Sequence, residues 1–472
     1  MLNSRRQFFG SLGAGLVAGR TGLASTSVRE GTRKPSSANG APVPSNAATA
    51  FEAVQTPDVP KLAWTFESGV KVFNLVAEPV KREFLPGTLV DAWGYNSTAP
   101  GPTIEVVEGD RVRVVVDNHL PEPTSMHWHG FEIPIAMDGM PGISQPLIPP
   151  GGRSVYEFTL HQAGTFFYHS HMAMQEMMGL IGMFIMHPRA SYTPRVDKDF
   201  GIILQEWAIL PNNSVPNTLS MEFNWLTMNG RAGPATTPLL VKLGERVRIR
   251  LVNLGMDHHP IHLHGNTFYV TGTEAGRVPP AVWTPANTVL VGVAQARDIE
   301  FEANNPGDWM LHCHMPHHTM NHMASMVGPM LEAPGMPAGM GMEEGMGMMQ
   351  QGSALSEENG PSLGRSVGLG ADHERPTSNM PLTSQDATPG MGNMQGMTHS
   401  HIAPNAAQVP GYPQDMMMMS MDSAVAKPET YGLAPGWSTG VTGMTTLVRV
   451  LAPDLYEQVV ARVSERASGS RD

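Results

Sequence analysis

Residues 307 to 323 read GDWMLHCHMPHHTMNHM and include the single cysteine of the chain, Cys313. His312 and His314 flank this cysteine, and His318 and Met323 follow it. Thiolate, imidazole and thioether are soft ligands that suit copper. A trigonal site of one Cys and two His with a weak axial Met is typical of blue-copper centres. The stretch therefore predicts a copper site whose second imidazole comes from elsewhere in the chain.

Three further histidine clusters can supply that imidazole. They read MHWHG at 126 to 130, YHSH at 168 to 171 and HPIHLHG at 259 to 265. If an HxH pair lies on a strand, both imidazoles point to one face and the residue between them points to the other. Cys313 would then face one metal while His312 and His314 face others across the strand. The HxH pairs together supply enough imidazoles for a cluster of three coppers, and they leave His259 and His318 for the site at Cys313.

The chain contains an internal repeat. GDRVRV at 109 to 114 returns as GERVRI at 244 to 249, and HWHG at 127 to 130 returns at the same offset as HLHG at 262 to 265. GTFFYHSH at 164 to 171 returns at a slightly larger offset as GDWMLHCH at 307 to 314. Such self-similarity indicates two copies of one domain in tandem. Because Ser170 stands where the second copy has Cys313, the first copy is not expected to hold a blue copper.

Local patterns indicate the fold class. Alternating apolar runs, such as 111 to 116 and 246 to 252, are separated by turns rich in Gly, Pro and Asn. Such runs are typical of strands in antiparallel sandwiches. The composition agrees, with 50 Gly, 41 Pro and only 15% charged residues. We therefore predict an all-β protein made of two Greek-key sandwiches.

The four motifs HxHG, HxH, HPxHLHG and HCHxxxHxxxxM occur in this order between about residues 60 and 330, and in this the chain resembles the multicopper oxidases. The resemblance implies tandem cupredoxin domains. The stretch between His171 and His259 is too short for a third such domain, so the chain looks like the two-domain branch that includes the small laccases.

The resemblance also implies four coppers per chain, one of type 1, one of type 2 and two of type 3. The type 1 ligands would be His259, Cys313, His318 and Met323. The type 2 ligands would be His127 and His262. The type 3 ligands would be His129, His169, His171, His264, His312 and His314.

The activity implied by the resemblance is that of an oxidase. A small reductant, either monovalent copper or a phenolic or aromatic compound, would give up one electron at a time near His259 or His318. The electrons would pass through Cys313, the central residue of catalysis, to His312 and His314. Four of them would reduce dioxygen to water.

Proton delivery involves a second residue with an implied catalytic role, Asp138. It follows the HxHG motif closely and matches the family's acid near the type 2 copper. An ordinary Asp-Gly turn is the alternative interpretation. Some family members carry a second acid where this chain has Thr319, and Glu176 and Glu206 are the available substitutes. Asn266 is a further departure, from the more usual HLHGH.

A homotrimer is the assembly that the resemblance implies. The eight cluster histidines are divided between two domains that a short connection near residues 190 to 200 holds side by side. In a head-to-tail ring, the first domain of each chain would meet the second domain of the next chain. Three clusters would then form at three interfaces.

The two ends of the chain differ from its middle. SRRQFFG at 4 to 10 and the apolar run after it resemble a twin-arginine signal, so residues 1–27 are predicted to direct export, to the periplasm or elsewhere. Residues 28–58 are predicted as a linker, 59–190 as the first domain and 195–332 as the second. A Met/Gly/Pro-rich segment, 333–425, is predicted to be disordered. Residues 426–472 include a predicted short helix that packs on the body.

Other functions compete with that of an oxidase. Zinc is the rival metal for a Cys/His set, but one Cys among eight paired His fits it poorly. A periplasmic copper-storage or copper-tolerance protein remains an alternative, because thioethers in the Met-rich segment prefer monovalent copper. A copper nitrite reductase would need fewer His. The net charge of −12 argues against nucleic acid as a partner, and the apolar N-terminal run is too short for an integral membrane protein.

Overall fold

The computed structural model describes residues 51–172, 174–210, 213–321 and 420–469, with side chains to residue 466. The first sandwich is built from nine strands. These are β1 (Trp64–Glu67), β2 (Val70–Leu85), β3 (Thr88–Tyr95), β4 (Gly101–Val107), β5 (Arg111–Asn118), β6 (His127–His129), β7 (Arg153–Thr159), β8 (Gly164–His169) and β9 (Ile181–His187). One sheet has the order β1-β2-β5-β7 with β3 paired to β2, and the other has the order β4-β9-β8-β6.

The second sandwich is built from the strands that follow. These are β10 (Lys198–Trp207), β11 (Trp225–Met228), β12 (Leu239–Lys242), β13 (Arg246–Asn253), β14 (His259–Leu263), β15 (Phe268–Thr273), β16 (Gly276–Arg277), β17 (Thr284–Ala286), β18 (Thr288–Val291), β19 (Gln295–Glu302), β20 (Gly307–Cys313) and β21 (Thr445–Leu451). One sheet has the order β11-β10-β13-β19-β15-β16 with β17 paired to β15, and the other has the order β12-β21-β20-β14-β18.

The internal repeat is visible in the strand pairing. In the first copy β2 runs parallel to β5, and in the second copy β10 runs parallel to β13. His127 lies opposite His169 in the first sandwich, and His262 lies opposite His312 in the second. The prediction of an all-β chain with two tandem sandwiches is therefore confirmed.

Alternation along the strands explains why they fold as sandwich layers. On β5 the side chains of Val112, Val114 and Val116 are fully buried, while the residues between them are not. They join the core of the first sandwich together with Trp128 and Tyr168. Because side chains alternate between the two faces of a strand, this pattern buries one face and leaves the other toward polar surroundings.

The second domain ends later in the sequence than predicted. β21 lies between β12 and β20, parallel to the first and antiparallel to the second. The boundary at residue 332 is therefore wrong, because a strand from the predicted C-terminal segment completes the sheet that carries Cys313. The Met-rich segment is consequently an insertion between two strands of one sheet and not a C-terminal extension.

The predicted short helix forms as α1 (Pro453–Gly469). Tyr456 and Val459 are buried against Leu451 of β21, and Leu455 and Val460 pack at the edge of this cluster. The helix thus uses its apolar side to cover the sheet edge near β12. Four-residue or shorter 3₁₀ helices occur at Ile135–Met137, Pro280–Val282, Pro316–Thr319, Pro428–Thr430 and Trp437–Gly440.

The two sandwiches are joined by an apolar and a polar contact. Phe167 and Ile181 of the first sandwich pack in one cluster with Ile203 and Val252 of the second. Beside them, Arg250 donates to both carboxylate oxygens of Asp199 at 2.8 Å and to Thr165 Oγ1 at 2.7 Å. Thr165 in turn donates to Asp298 Oδ1 at 2.6 Å. The first and second domains of one chain are therefore held together through buried groups.

Segment predictions near the chain ends are met only in part. Residues 51–58 belong to the predicted linker, yet Val54 is buried and Gln55 donates its backbone N–H to Asp199 O. Residues 420–425 belong to the predicted disordered segment, yet Val425 is buried. The rest of both segments, the predicted signal and Met323 lie outside the described residues. No described helix is long and apolar enough to cross a membrane.

Candidate metal centre

Three donor atoms converge in the core of the second sandwich. Cys313 Sγ lies 3.4 Å from His318 Nδ1 and 3.8 Å from His259 Nδ1, and the two imidazole nitrogens lie 3.3 Å apart. All three residues are buried. Nitrogen and sulfur ligands lie about 2.0 to 2.3 Å from a first-row metal, so three of them around one ion lie about 3.5 Å from each other. The spacing and the soft Cys/His donor set fit copper.

Carboxylates orient the two imidazoles of this trio. Glu206 Oε2 accepts from His259 Nε2 at 3.1 Å, and Glu206 has no exposed surface. Asp257 Oδ2 lies 3.5 Å from His318 Nε2. Because each Nε2 faces a carboxylate, each Nδ1 is left to face Cys313, as metal-binding histidines require. Glu206 is therefore a neighbour of the Cys/His trio and not of the cluster histidines for which the sequence offered it as a proton donor.

Burial also acts on the Cys313 thiol. It raises the pKa of Cys313 to about 12, and the carboxylates of Asp257 and Glu206 add to this effect. Without a cation the residue is thus a neutral thiol at neutral pH. A metal ligand must be a thiolate, so binding of a cation displaces the proton.

The second sandwich carries one set of cluster histidines on β14, directly after it, and on β20. Donor atoms of His262, His264 and His312 lie within 4.8 Å of one another, and His264 Nε2 lies 3.0 Å from His312 Nε2. His312 Nδ1 donates to Cys313 O at 2.8 Å, and His262 Nδ1 donates to Asn287 O at 2.7 Å. These bonds leave Nε2 of both rings free for a metal.

The first sandwich carries the other set on β6 and β8. Donor atoms of His127, His129 and His169 lie within 4.8 Å of one another, and His129 Nδ1 lies 3.3 Å from His169 Nε2. His127 Nδ1 donates to Asp138 O at 2.8 Å. Burial lowers the pKa of His129 to about 4 and also lowers the pKa values of His127 and, in the other set, His312. Neutral imidazoles are the form that binds metal.

The outermost histidine of each set is exposed. The His171 ring centroid lies 5.5 Å from that of His127, and the His314 ring centroid lies 5.5 Å from that of His262. Each set of donors within binding distance, among the described residues, comes from one sandwich alone. Each sandwich therefore presents its own set of histidines.

Two acids lie beside the cluster histidines of the first sandwich. Asp138 Oδ1 is 3.6 Å from His127 Nδ1, at the position where the sequence placed an acid. Glu176 Oε1 is 2.7 Å from His169 Nδ1, which also donates to Ser170 O at 2.9 Å. The Thr319 hydroxyl, at the position of the second acid in some family members, donates to Pro316 O at 2.8 Å. The proton roles of Asp138 and Glu176 stay predictions.

Cys313 connects the two kinds of site in the second sandwich. It lies next to His312 on β20, and strand alternation turns Cys313 into the apolar core while His312 faces the cluster set. Models of the multicopper oxidase family match residues 77–191 and 210–330, which together make up half of the chain. The chain belongs to the multicopper oxidase family.

Comparison with individual members of the family gives partial alignments. Multicopper oxidase MmcO of Mycobacterium tuberculosis is 30% identical over 330 residues, which cover 63% of this chain and 60% of that protein. Copper resistance protein A of Pseudomonas syringae pv. tomato is 36% identical over 140 residues, 30% of this chain and 23% of that protein. Laccase-2 of Botryotinia fuckeliana is 32% identical over 240 residues, which cover 46% of this chain and 40% of that protein. The chain thus spans less than two thirds of these relatives.

One solved structure is also similar to this chain. The Blue Copper Oxidase from Nitrosomonas europaea is 30% identical, with a TM-score of 0.49, over 53% of this chain and 81% of that chain.

Among the described residues, nine of the ligands predicted for this multicopper oxidase lie in three groups of donors, and His171 and His314 lie beside two of these groups. Their division into type 1, type 2 and type 3 sites stays a prediction. The sequence did not indicate that Asp257 lies beside His318 or that Glu206 lies beside His259. Glu206 lies on β10, far before His259 in the sequence. No short spacing or periodicity in the sequence links it to His259.

Proposed function

We propose that the chain couples one-electron oxidation of a small reductant to four-electron reduction of dioxygen to water. Family membership and one observation carry the proposal: Cys313 in the Cys/His trio is the direct neighbour of His312 in the cluster set. Copper held at these groups would supply the one-electron steps and the reduction of dioxygen. The chain itself provides a path of a few covalent bonds between the two sets.

The residues around this path bind, orient and exclude water. Cys313, His259 and His318 have at most 1% of their surface exposed, so solvent does not reach the trio. Glu206 fixes the tautomer of His259, and backbone carbonyls fix the tautomers of His127, His262 and His312. Such preorganisation keeps the donor atoms in place before and after an electron has moved.

We assign four coppers per chain, with the ligands expected from the sequence. Type 1 would use His259, Cys313 and His318, with Met323 as the fourth ligand. Asp138, beside His127, is placed to hold a proton at its carboxylate near the type 2 position. Copper analysis of loaded protein should give about four ions per chain. Asp138→Asn should reduce turnover and change its pH profile while leaving the copper content unchanged.

A homotrimer is the proposed assembly. Each histidine set belongs to one sandwich, and the two sandwiches of a chain are packed through buried groups such as Arg250 and Thr165. A head-to-tail ring would let the first sandwich of one chain meet the second sandwich of the next. Light scattering on copper-loaded protein should give three times the chain mass. A fully active monomer would contradict the ring.

Mixed assemblies provide a second measurement of the ring. His127→Ala removes a ligand from the first sandwich, and His314→Ala removes one from the second. In a mixture of the two variants, some interfaces join an intact first sandwich to an intact second sandwich, so partial activity should return. The controls are the separate variants, which should be inactive at every interface.

The reductant is proposed to be monovalent copper or a phenol. Dioxygen uptake should be measured with each of them and with neither, and four equivalents of reductant should be consumed per dioxygen. Replacing residues 333–419 with a short linker should weaken oxidation of monovalent copper and spare oxidation of the phenol, if its thioethers collect cuprous ions. Copper binding without dioxygen uptake would instead support copper storage.

Export is proposed from the N-terminal residues alone. SRRQFFG at 4 to 10 matches a twin-arginine signal, and that pathway carries folded proteins that already hold their metals. Replacing Arg5 and Arg6 with Lys should keep the protein in the cytoplasm. Fractionation of cells would measure the outcome.

A further inference from the structure

The first sandwich contains a place that corresponds to the Cys/His trio of the second. The offset that relates HWHG to HLHG also relates Thr124 to His259. The larger offset, between GTFFYHSH and GDWMLHCH, relates Ser170 to Cys313 and Gln175 to His318. The strand environment agrees, because Thr124 lies opposite Ile148 and His259 lies opposite Val291, the residue at the same larger offset. The first copy has therefore replaced each of the three donors with a neutral polar side chain.

These three side chains form a closed hydrogen-bonded triad. Gln175 Oε1 accepts from Thr124 Oγ1 at 2.7 Å and from Ser170 Oγ at 2.7 Å, and the two hydroxyl oxygens lie 3.3 Å apart. Gln175 Nε2 donates to Glu122 Oε1 at 2.7 Å and to Pro123 O at 3.0 Å. None of the three residues is more than 1% exposed. Buried polar groups are stable only when paired in this way.

The triad is too tight to hold an ion. Its atom-to-atom distances are 2.7, 2.7 and 3.3 Å, whereas those of the Cys/His trio are 3.3, 3.4 and 3.8 Å. Three ligands around a first-row metal need about 3.5 Å between them. Hydrogen bonds thus join directly the three chain segments that correspond to those an ion would join in the second sandwich.

The joined segments are those that carry cluster ligands. Ser170 lies between His169 and His171, and the backbone N–H of His171 donates to the hydroxyl of Ser125, next to Thr124, at 2.8 Å. Gln175 precedes Glu176, whose carboxylate lies 2.7 Å from His169 Nδ1. Movement of the triad would therefore shift His169, His171 and the acid that orients His169.

We propose that Thr124, Ser170 and Gln175 are positioning residues that do in the first sandwich what the type 1 metal does in the second. They hold His169 and His171 in place without a local ion, so this half of the cluster is preformed in the metal-free chain. The proposal goes beyond oxidase activity and rests on the assignment of these histidines as copper ligands.

Loss of the triad should lower copper binding at the cluster. Gln175→Leu removes the acceptor of both hydroxyls, and Ser170→Ala removes one donor with little change of volume. Both should weaken cluster copper binding by about 10- to 100-fold, the usual effect of removing a group that orients a metal ligand. The visible absorption of copper on Cys313 should be unchanged. Ser170→Thr, which keeps the hydroxyl, should restore most of the affinity.

The matched control is Thr103→Val. Thr103 is a buried residue of β4 whose hydroxyl donates to Thr56 Oγ1 at 2.8 Å, and β9 separates its strand from the histidine-bearing strand β8. Thr103→Val should lower stability without changing the copper count. If Ser170→Ala and Gln175→Leu behave like Thr103→Val, the triad is only structural and the proposal is wrong.

A rescue experiment tests the correspondence with a metal directly. In a Cys313→Ser background, the combined change Thr124→His, Ser170→Cys and Gln175→His places a Cys/His trio in the first sandwich. Copper bound at the new trio should then produce thiolate absorption from the first sandwich. The number of copper ions bound by the cluster histidines should equal that of the Cys313→Ser variant, in which the triad is intact. The control is that unsubstituted chains show thiolate absorption. If they do, and the rebuilt trio neither gives this absorption nor restores the number of cluster coppers, the inference fails. Absence of the absorption in unsubstituted chains would contradict the proposed function instead.

Discussion

Glu206 Oε2 accepts a hydrogen bond from His259 Nε2 at 3.1 Å in a place where neither side chain is exposed. The other carboxylate oxygen accepts from the backbone N–H of Asp257 at 2.8 Å and from that of Met256. One carboxylate therefore fixes both the His259 imidazole and the loop before it. This relationship ties the stability of the second sandwich to its metal site.

Replacing Glu206 should affect both properties. Glu206→Leu leaves His259 Nε2 and two backbone N–H groups without their acceptor, at about 1 to 3 kcal/mol of unfolding free energy for each buried group left unpaired. Copper affinity at the trio of His259, Cys313 and His318 should fall about 10- to 100-fold. Denaturant unfolding and copper titration measure the two effects. Glu302→Gln, at an exposed site, should change neither by a comparable amount.

Arg250 is expected to stabilise the contact between the sandwiches. Arg250→Met leaves the buried carboxylate of Asp199 without its bidentate partner, which should lower the unfolding free energy by about 3 to 5 kcal/mol. The matched control is Arg153→Met at the exposed bidentate pair with Asp117, where a much smaller loss is expected because solvent screens this pair. Equal losses in the two variants would contradict the role given to burial.

Strand β21 should be required for folding of the second sandwich. A chain that ends at residue 332 lacks the strand between β12 and β20, so the backbone of β20 loses its hydrogen-bond partners from Gly307 to His312. It should fail to fold, as judged by circular dichroism and solubility. A chain in which a flexible Gly/Ser linker replaces residues 333–419 should remain folded, because both flanking segments stay in place. Failure of both chains would show that the insertion has a structural role.

Copper binding at Cys313 should release a proton. Because burial raises the pKa of the thiol to about 12, the metal-free residue is protonated at pH 7. At neutral pH and above, copper competes with one proton for the thiol. Copper affinity at this site should therefore rise about tenfold for each unit by which the pH rises, up to the thiol pKa. An indicator dye in weak buffer should detect about one more proton per chain for unsubstituted protein than for Cys313→Ser. Equal release from both would mean that the thiol is not a ligand.

The sequence predicted those parts of the fold and the site that local patterns encode. Strand alternation and the HxH spacing indicated the two sandwiches, and they placed Cys313 and His312 on opposite faces of one strand. The repeat predicted that Ser170 replaces the blue-copper cysteine. These features depend on periodicity and on short spacings, which a single chain displays directly.

Other parts could not be predicted because long-range packing determines them. β21 joins its sheet from beyond a long insertion, and no local pattern links it to β20. Glu206 meets His259 only because β10 and β14 belong to facing sheets of one sandwich. The bonds of Gln175 to Thr124 and Ser170 likewise depend on the path of the loop after His171.

Visible absorption and dioxygen uptake of copper-loaded protein, compared with Cys313→Ser, test the central claim most directly. The copper–thiolate bond should make the unsubstituted protein intensely blue, and it should consume dioxygen when a reductant is present. Cys313→Ser should lose both the colour and the uptake, because the path between the two sites runs through this residue. A colourless copper-loaded protein, or a Cys313→Ser variant that still consumes dioxygen, would contradict the account.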